Sequence, residues 1–327
     1  MRLTSRRILP SSSPLRPRAR RIHNRNRAGL TLIEVTVVVV LLAIVGGALM
    51  KTLAGQQRFY RGTADINELR SQLRQASAIM SSDLRGVSTA GGDIINIATD
   101  SAVEFYYTVG SSVACALPST TKIILPPLTL ASGQTLTSWV SRPDNADSVW
   151  VFDEGDTTRA DDDSWHRYGI ASVTDTTGAC PAPYTQAADN ASASYALTIN
   201  GATLPASVRK GVILRFVRRA HYSLFRWTDG LWYLGYCTRC TTTAAPSASM
   251  QPIAGPFNAY VNPASTTNGV SLTYFDQSGV ATSTPANVAR ISILLRGQTR
   301  QLINISGLAR GAYSDSIRVD VAVRNRS

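Results

Sequence analysis

Four cysteines carry the clearest covalent chemistry in this sequence, namely Cys115, Cys180, Cys237 and Cys240. All four follow a long apolar run. If that run crosses a membrane, the cysteines lie in an oxidising compartment, where an even number favours disulfides. We expect the pairs Cys115–Cys180 and Cys237–Cys240, because a C-x-x-C pair can close a small loop by itself. The alternatives for the C-x-x-C pair are half of a zinc site and a redox motif.

An acidic stretch offers oxygen ligands for a hard cation. Its calcium candidates are Asp153, Asp156, Asp161 and Asp163. Their spacing matches no EF-hand loop. Runs of like charge are usually solvated loops, so the sequence favours an acidic surface loop and predicts no metal.

Catalysis has little support in the sequence. His166 follows Asp163 and Ser164, but neighbours along the chain need not form a triad. The sequence contains no G-x-S-x-G, H-E-x-x-H or phosphate-binding loop. We therefore expect neither an enzyme nor a cofactor, and a membrane-anchored secreted enzyme is the alternative.

The net charge of +12 suggests nucleic-acid binding at first sight. Nine arginines and no acidic residue lie in residues 1–29, so most of that excess belongs to the N-terminus. Residues 30–204 are acidic on balance and residues 205–327 are basic. We expect the two halves to neutralise each other within one fold. The alternatives are neutralisation between stacked subunits and DNA binding through the basic half, whose densest cluster is Arg209, Lys210, Arg215, Arg218 and Arg219.

The apolar run itself contains one charged side chain. Residues 30–50 are about long enough to cross a ~30 Å hydrocarbon core as a helix, and Glu34 is the sole charge among them. A carboxylate in lipid is costly unless it has a partner, so Glu34 predicts a functional contact. The basic residues before the run favour a cytoplasmic N-terminus with the rest of the chain translocated.

The sequence Gly29-Leu-Thr-Leu-Ile-Glu-Val35 resembles the processing signal of type IV prepilins and of type II secretion pseudopilins. The resemblance implies that a prepilin peptidase cuts after Gly29 and methylates the new N-terminus, Leu30. It also implies that Glu34 pairs with the N-terminal amine of a neighbouring subunit. Partners would be the peptidase, other pilin or pseudopilin subunits, the inner-membrane assembly platform and, before assembly, membrane lipid.

The elements after the run fit one helix and one sheet domain. An apolar stripe at helical spacing, from Ile66 to Leu84, predicts that the helix continues to about Arg85. From residue 101 onwards short β-rich runs alternate with turn residues, and Asp229-Gly230 is a hairpin signal. Predicted strands include residues 148–153, 211–217, 222–227 and 270–275. We predict an α+β pilin-like fold, with a long N-terminal helix packed on an antiparallel sheet.

The predicted organisation has four parts: a cleaved leader at 1–29, the transmembrane and assembly half of the helix at 30–50, its amphipathic half at 51–90, and a β-rich domain at 91–327. A looser resemblance to PilW-type minor pilins, or to minor pseudopilin J, rests on residues 56–61, 80–85 and 318–326. It implies a minor subunit that joins or primes a filament, anchored in the inner membrane with its domain in the periplasm.

Overall fold

The computed structural model describes residues 31–89, 91–97, 99–159, 161–178, 180–240, 250–303 and 311–324. The predicted leader and the processing residues Gly29 and Leu30 lie outside the described residues, so their assignment stays a prediction.

The described residues form one long α-helix, α1, which spans Leu32–Arg85. They also form fourteen β-strands: β1 Ile94–Asn96, β2 Ala102–Val113, β3 Ala116–Ser119, β4 Lys122–Leu125, β5 Ser138–Trp139, β6 Ser148–Asp153, β7 Ser164–Thr177, β8 Ala193–Asn200, β9 Ile213–Arg226, β10 Trp232–Thr238, β11 Gln251–Phe257, β12 Val270–Phe275, β13 Arg290–Gln298 and β14 Ser314–Ala322. Single 3-10 turns occur at Ala187–Asp189 and Pro285–Asn287.

Two compact units divide the chain at residues 57 and 58. The described part of the first unit is the apolar beginning of α1. The second unit, 58–327, contains the end of α1 and all the strands. Within it, α1 buries a stripe of side chains that was predicted from their spacing: Leu69, Leu73, Ala76, Met80 and Leu84.

The strands of the second unit form two antiparallel sheets. Eleven strands belong to the larger sheet, whose main path runs β1-β2-β9-β6-β7-β8-β4-β3, and β12-β13-β14 form the smaller sheet. One hydrophobic core joins the stripe of α1 to β2, β9 and the smaller sheet, and Phe105, Tyr222 and Ile293 are among its most deeply buried members. A second core lies farther along the larger sheet, around Leu197 and Phe216. The α+β fold with a long N-terminal helix on an antiparallel sheet is confirmed.

Two features of the sheet differ from the sequence pattern. Residues 211–217 and 222–227 suggested two strands, but β9 runs unbroken through Arg218 and Arg219, because both arginines meet carboxylates on neighbouring segments. The strand β11 contains Pro252 and Pro256, which normally argue against a strand. It pairs with β10 alone among the described strands, and such an edge position tolerates proline.

Candidate functional site

The first turn of α1 is closed by reciprocal hydrogen bonds between Thr31 and Glu34. The Thr31 backbone N–H donates to Glu34 Oε2 at 2.9 Å, and the Thr31 hydroxyl donates to the same oxygen at 3.0 Å. In return, the Glu34 N–H donates to Thr31 Oγ1 at 3.3 Å. This is a capping box, in which two side chains satisfy backbone groups that a helix start leaves free. Glu34 therefore has a partner within its own chain.

The helix that follows Glu34 is apolar on every side. In the first unit, large hydrophobic side chains from Leu32 to Leu53 are more than half exposed in most cases, including Leu42 at 65% and Met50 at 72%. Such an apolar surface all round a helix matches a lipid environment rather than water. Among the described residues, α1 is the one helix long and apolar enough to cross a membrane.

The same segment matches a known family model. Residues 24–50 match the model of the prokaryotic N-terminal methylation motif. The match supports a type IV prepilin- or pseudopilin-type protein. It covers the leader end, Glu34 and the apolar run, and it leaves the β-rich domain unmatched. Comparison with curated proteins and with solved structures gave no match.

The motif and the helix together support a pilin-like chain that is processed at its N-terminus and anchored in the membrane by a single span. The motif also implies processing by prepilin peptidase and assembly with other pilins. Glu34 is then a charged group inside the anchoring segment, three residues from the threonine that caps it.

The cysteines form the two pairs that we favoured from the sequence. Cys115 is bonded to Cys180 and Cys237 to Cys240. The first bridge ties the end of β2 to a segment 65 residues away and is buried among Ile124 and Ala196. The second closes the end of β10 next to Phe225 and Met250. The C-x-x-C pair thus follows a strand, which differs from the helix start favoured by redox motifs.

Three of the four calcium candidates accept hydrogen bonds from groups of the protein. Asp153 accepts from the Gly155 N–H and the Ser207 hydroxyl, and Asp161 is paired with Arg159 at 2.6 Å. Asp156 accepts from Thr158, and Asp163 lies exposed beside them. Across the described ranges, no group of three or more His, Cys, Asp or Glu side chains is placed to hold a metal ion.

His166 meets both of the groups that a catalytic triad would need, but through one nitrogen. Its Nε2 lies 3.1 Å from Ser164 Oγ and 3.2 Å from Asp153 Oδ2. A triad uses one ring nitrogen to take the serine proton and the other to bind the carboxylate. The observed arrangement is a local hydrogen-bond cluster, and its carboxylate is Asp153 rather than the neighbouring Asp163.

The arginines proposed for DNA binding largely face acidic partners. Arg218 makes two hydrogen bonds of 2.7 Å to the buried Asp147, and Arg215 lies 2.6 Å from the buried Asp93. Arg219 pairs with the buried Glu104. The hydrogen bonds to Asp147 raise the pKa of Arg218 above its usual value. These pairs join the basic half of the sequence to its acidic half, as expected from the charge distribution.

The remaining two cations of that cluster, Arg209 and Lys210, are exposed in the turn before β9. His221 is buried in β9, and its pKa is lowered first by that burial and then by the positive charge of Arg219. A neutral imidazole fits this position.

Two groups of residues that make these hydrogen bonds and ion pairs were not identified from the sequence. One is Thr31, although the spacing Thr31-x-x-Glu34 is itself the sequence signature of a capping box. The other is the set of acidic partners Asp93, Glu104 and Asp147, which lie 71 to 122 residues from their arginines. No local signal identifies pairs at that separation.

Proposed function

We propose that this chain is a minor-pilin-like subunit, of the PilW or minor pseudopilin J type, that joins or primes a type IV pilus or a type II secretion pseudopilus. The observation that carries the proposal is Glu34, a lone carboxylate at the start of an exposed apolar helix, within the residues that match the methylation motif. A prepilin peptidase would cut after Gly29 and free the amine of Leu30.

In the assembled state, Glu34 pairs with the N-terminal amine of a neighbouring subunit. Both groups are charged, and leaving either one unpaired in a medium of low dielectric constant is strongly unfavourable. The pairing therefore fixes the register of one helix against the next. Before assembly, the hydrogen bonds from Thr31 keep the carboxylate partnered in the membrane.

The proposal gives the β-rich domain a structural role rather than a catalytic one, and places it in the periplasm. The nine arginines of residues 1–29 favour a cytoplasmic leader, and the two disulfides fit an oxidising compartment. A domain of this size with many irregular connections suits the tip or the priming complex of a filament better than its repeating shaft.

The test compares Glu34→Ala and Glu34→Gln with a matched control, Thr36→Val. Thr36 lies in the same segment, and its hydroxyl donates to the Ile33 carbonyl at 2.9 Å, so the control removes a polar group without removing charge. We expect all three variants to be processed and to remain in the membrane. Only Thr36→Val should co-purify with the other pilin subunits and support normal numbers of filaments.

Glu34→Gln is the sharper of the two variants, because it keeps shape and hydrogen bonding and lacks the charge. Normal recovery of processed Glu34→Ala in the subunit complex would overturn the pairing mechanism. A block in processing instead would show that Glu34 serves the peptidase and not assembly.

A further inference from the structure

One face of the larger sheet carries a row of exposed apolar side chains across three neighbouring strands. Trp165 of β7 lies opposite Phe152 of β6, and their ring centroids are 5.2 Å apart. The register of β6 and β9, in which Val151 lies opposite Leu214, places Phe152 beside Ile213 on the same face. Trp165 is 42% exposed and Ile213 54% exposed.

A second row runs alongside the first. Arg167 and Arg215 both lie opposite Trp150, one on each side of it. The Arg167 guanidinium is 6.0 Å from the Trp150 ring and 4.8 Å from the Tyr106 ring, and it also donates a hydrogen bond to the Tyr106 hydroxyl. These cation–π contacts hold the Arg167 guanidinium beside the two rings. We call Tyr106, Trp150, Phe152, Trp165, Arg167 and Ile213 the aromatic platform.

The aromatic platform lies on the sheet face turned away from the buried stripe of α1. Side chains alternate between the two faces of a strand, and Val151 and Leu214, next to Phe152 and Ile213, point into the second core. The stripe of α1 packs on that same opposite face, against Phe105 and Tyr222.

The charges around the aromatic platform limit what it can bind. Beyond Phe152 and Trp165, the β6–β7 connection at 154–163 carries five acidic side chains and one arginine. We call this connection the acidic rim. Arg215 is already paired with Asp93, so Arg167 is the cation of the platform that can contact a ligand. A polyanion such as single-stranded DNA needs a positively charged groove beside its stacked bases, and this acidic rim opposes it.

We propose that the aromatic platform binds a neutral oligosaccharide. The C–H face of a sugar ring carries a small positive charge, and the face of an aromatic ring carries a negative one, so the two attract when stacked. The row from Trp165 to Ile213 covers two strand spacings, about 10 Å, which accommodates roughly two sugar rings. Carboxylates of the rim accept hydrogen bonds from hydroxyl groups, and Arg167 donates them.

The test is a titration of the full-length chain in a detergent without a sugar head group. Cellohexaose and chitohexaose are the probes, and tryptophan fluorescence and calorimetry are the readouts. We expect one of the two to bind the unaltered chain. Trp165→Ala should weaken that binding at least tenfold. The matched control is Trp227→Ala, at the β9–β10 hairpin, which is 38% exposed and should bind normally.

Ile213→Asp is the second variant, because Ile213 is more than half exposed and its replacement leaves the core intact. A charge in the apolar row should also weaken binding at least tenfold. Failure of both probes to bind at millimolar concentration would overturn the proposal, as would platform variants that bind as tightly as the unaltered chain. Binding of a thymidine oligomer that both variants abolish would reassign the platform to nucleic acid. Purified protein is used throughout, so a failure of the assembly mechanism does not affect this result.

Discussion

The Thr31 hydroxyl and backbone N–H both donate to the same carboxylate oxygen of Glu34, at 3.0 and 2.9 Å. The residue proposed to contact a neighbouring subunit is thus first held by its own helix. Assembly would exchange these hydrogen bonds for an ion pair, which requires that the carboxylate be released or shared.

Thr31→Val tests the capping role. Valine keeps the shape of threonine but removes the hydroxyl, so it loses the bond to Glu34 Oε2 and the acceptor for the Glu34 N–H. Loss of an N-cap frays the first turn, and we expect amide exchange in the first turn to rise about fivefold. Hydrogen-exchange mass spectrometry of the micelle-bound chain measures this. Thr36→Val is the control and should leave that peptide unchanged; equal exchange in both variants would argue against the cap.

Processing gives a second prediction. Mass spectrometry of protein extracted from membranes should find N-methylated Leu30 as the first residue, because the methylation motif covers residues 24–50. The same strain without its prepilin peptidase should retain residues 1–29. Intact Met1 in cells with an active peptidase, or a cut at another bond, would contradict the assignment of Gly29 and Leu30.

The sequence predicted the parts of this molecule that depend on local patterns. The apolar run, the helix up to Arg85, the strands at 148–153 and 270–275, and the class of the fold follow from spacing and turn residues. It did not predict contacts that depend on sheet order. The platform forms because β7, β6 and β9 are neighbours, although Trp165 and Ile213 are far apart along the chain. For the same reason the sequence did not predict an unbroken β9, since the carboxylates that pair with its arginines come from segments far away along the chain.

The two disulfides should differ in their effect on stability. In the chain-entropy model a bridge stabilises more when it closes a longer loop, about 4 kcal/mol for Cys115–Cys180 and about 2 kcal/mol for Cys237–Cys240. We therefore expect Cys115→Ala/Cys180→Ala to lower the melting temperature more than Cys237→Ala/Cys240→Ala. Peptide mapping under non-reducing conditions should find no free thiol in the unaltered chain. A larger loss of stability from the second double variant would contradict the expectation from loop length. Stoichiometric zinc in the purified protein would contradict the disulfide Cys237–Cys240.

A pH dependence is expected at the contact between α1 and β14. The hydrogen bond from Arg70 Nε to Asp315 Oδ2, at 2.9 Å, lowers the pKa of Asp315 below its ordinary value. A carboxylate with a lowered pKa in the folded state adds stability above the pKa of the unfolded chain, about 3.9, and loses it as the pH falls through the folded-state value. Asp315→Asn should therefore be less stable than the unaltered chain at pH 6 and closer to it at pH 2.5. A stability difference that does not change with pH would show that the ion pair between Arg70 and Asp315 contributes little to the stability of the folded state.

Arg218 and Asp147 test whether the basic half of the sequence, 205–327, is neutralised by its acidic half, 30–204. Asp147 has a fully buried side chain, and Arg218 covers both of its oxygens at 2.7 Å. Arg218→Met leaves that carboxylate with the weaker contact to Arg239 at 3.4 Å and the Asp144 N–H. We expect a loss of about 3 kcal/mol in the free energy of unfolding, because removing the closer partner of a buried charge is strongly unfavourable. Replacing both residues, as Arg218→Met/Asp147→Leu, should cost less than the single change, since the buried carboxylate is then removed as well.

Arg209→Met is the control: Arg209 is exposed, and its replacement should change stability by less than about 0.5 kcal/mol. Urea unfolding of the four proteins, followed by near-ultraviolet circular dichroism, measures these differences. Equal losses from Arg218→Met and Arg209→Met would mean that the arginine cluster is a solvated surface, and would return DNA binding to consideration.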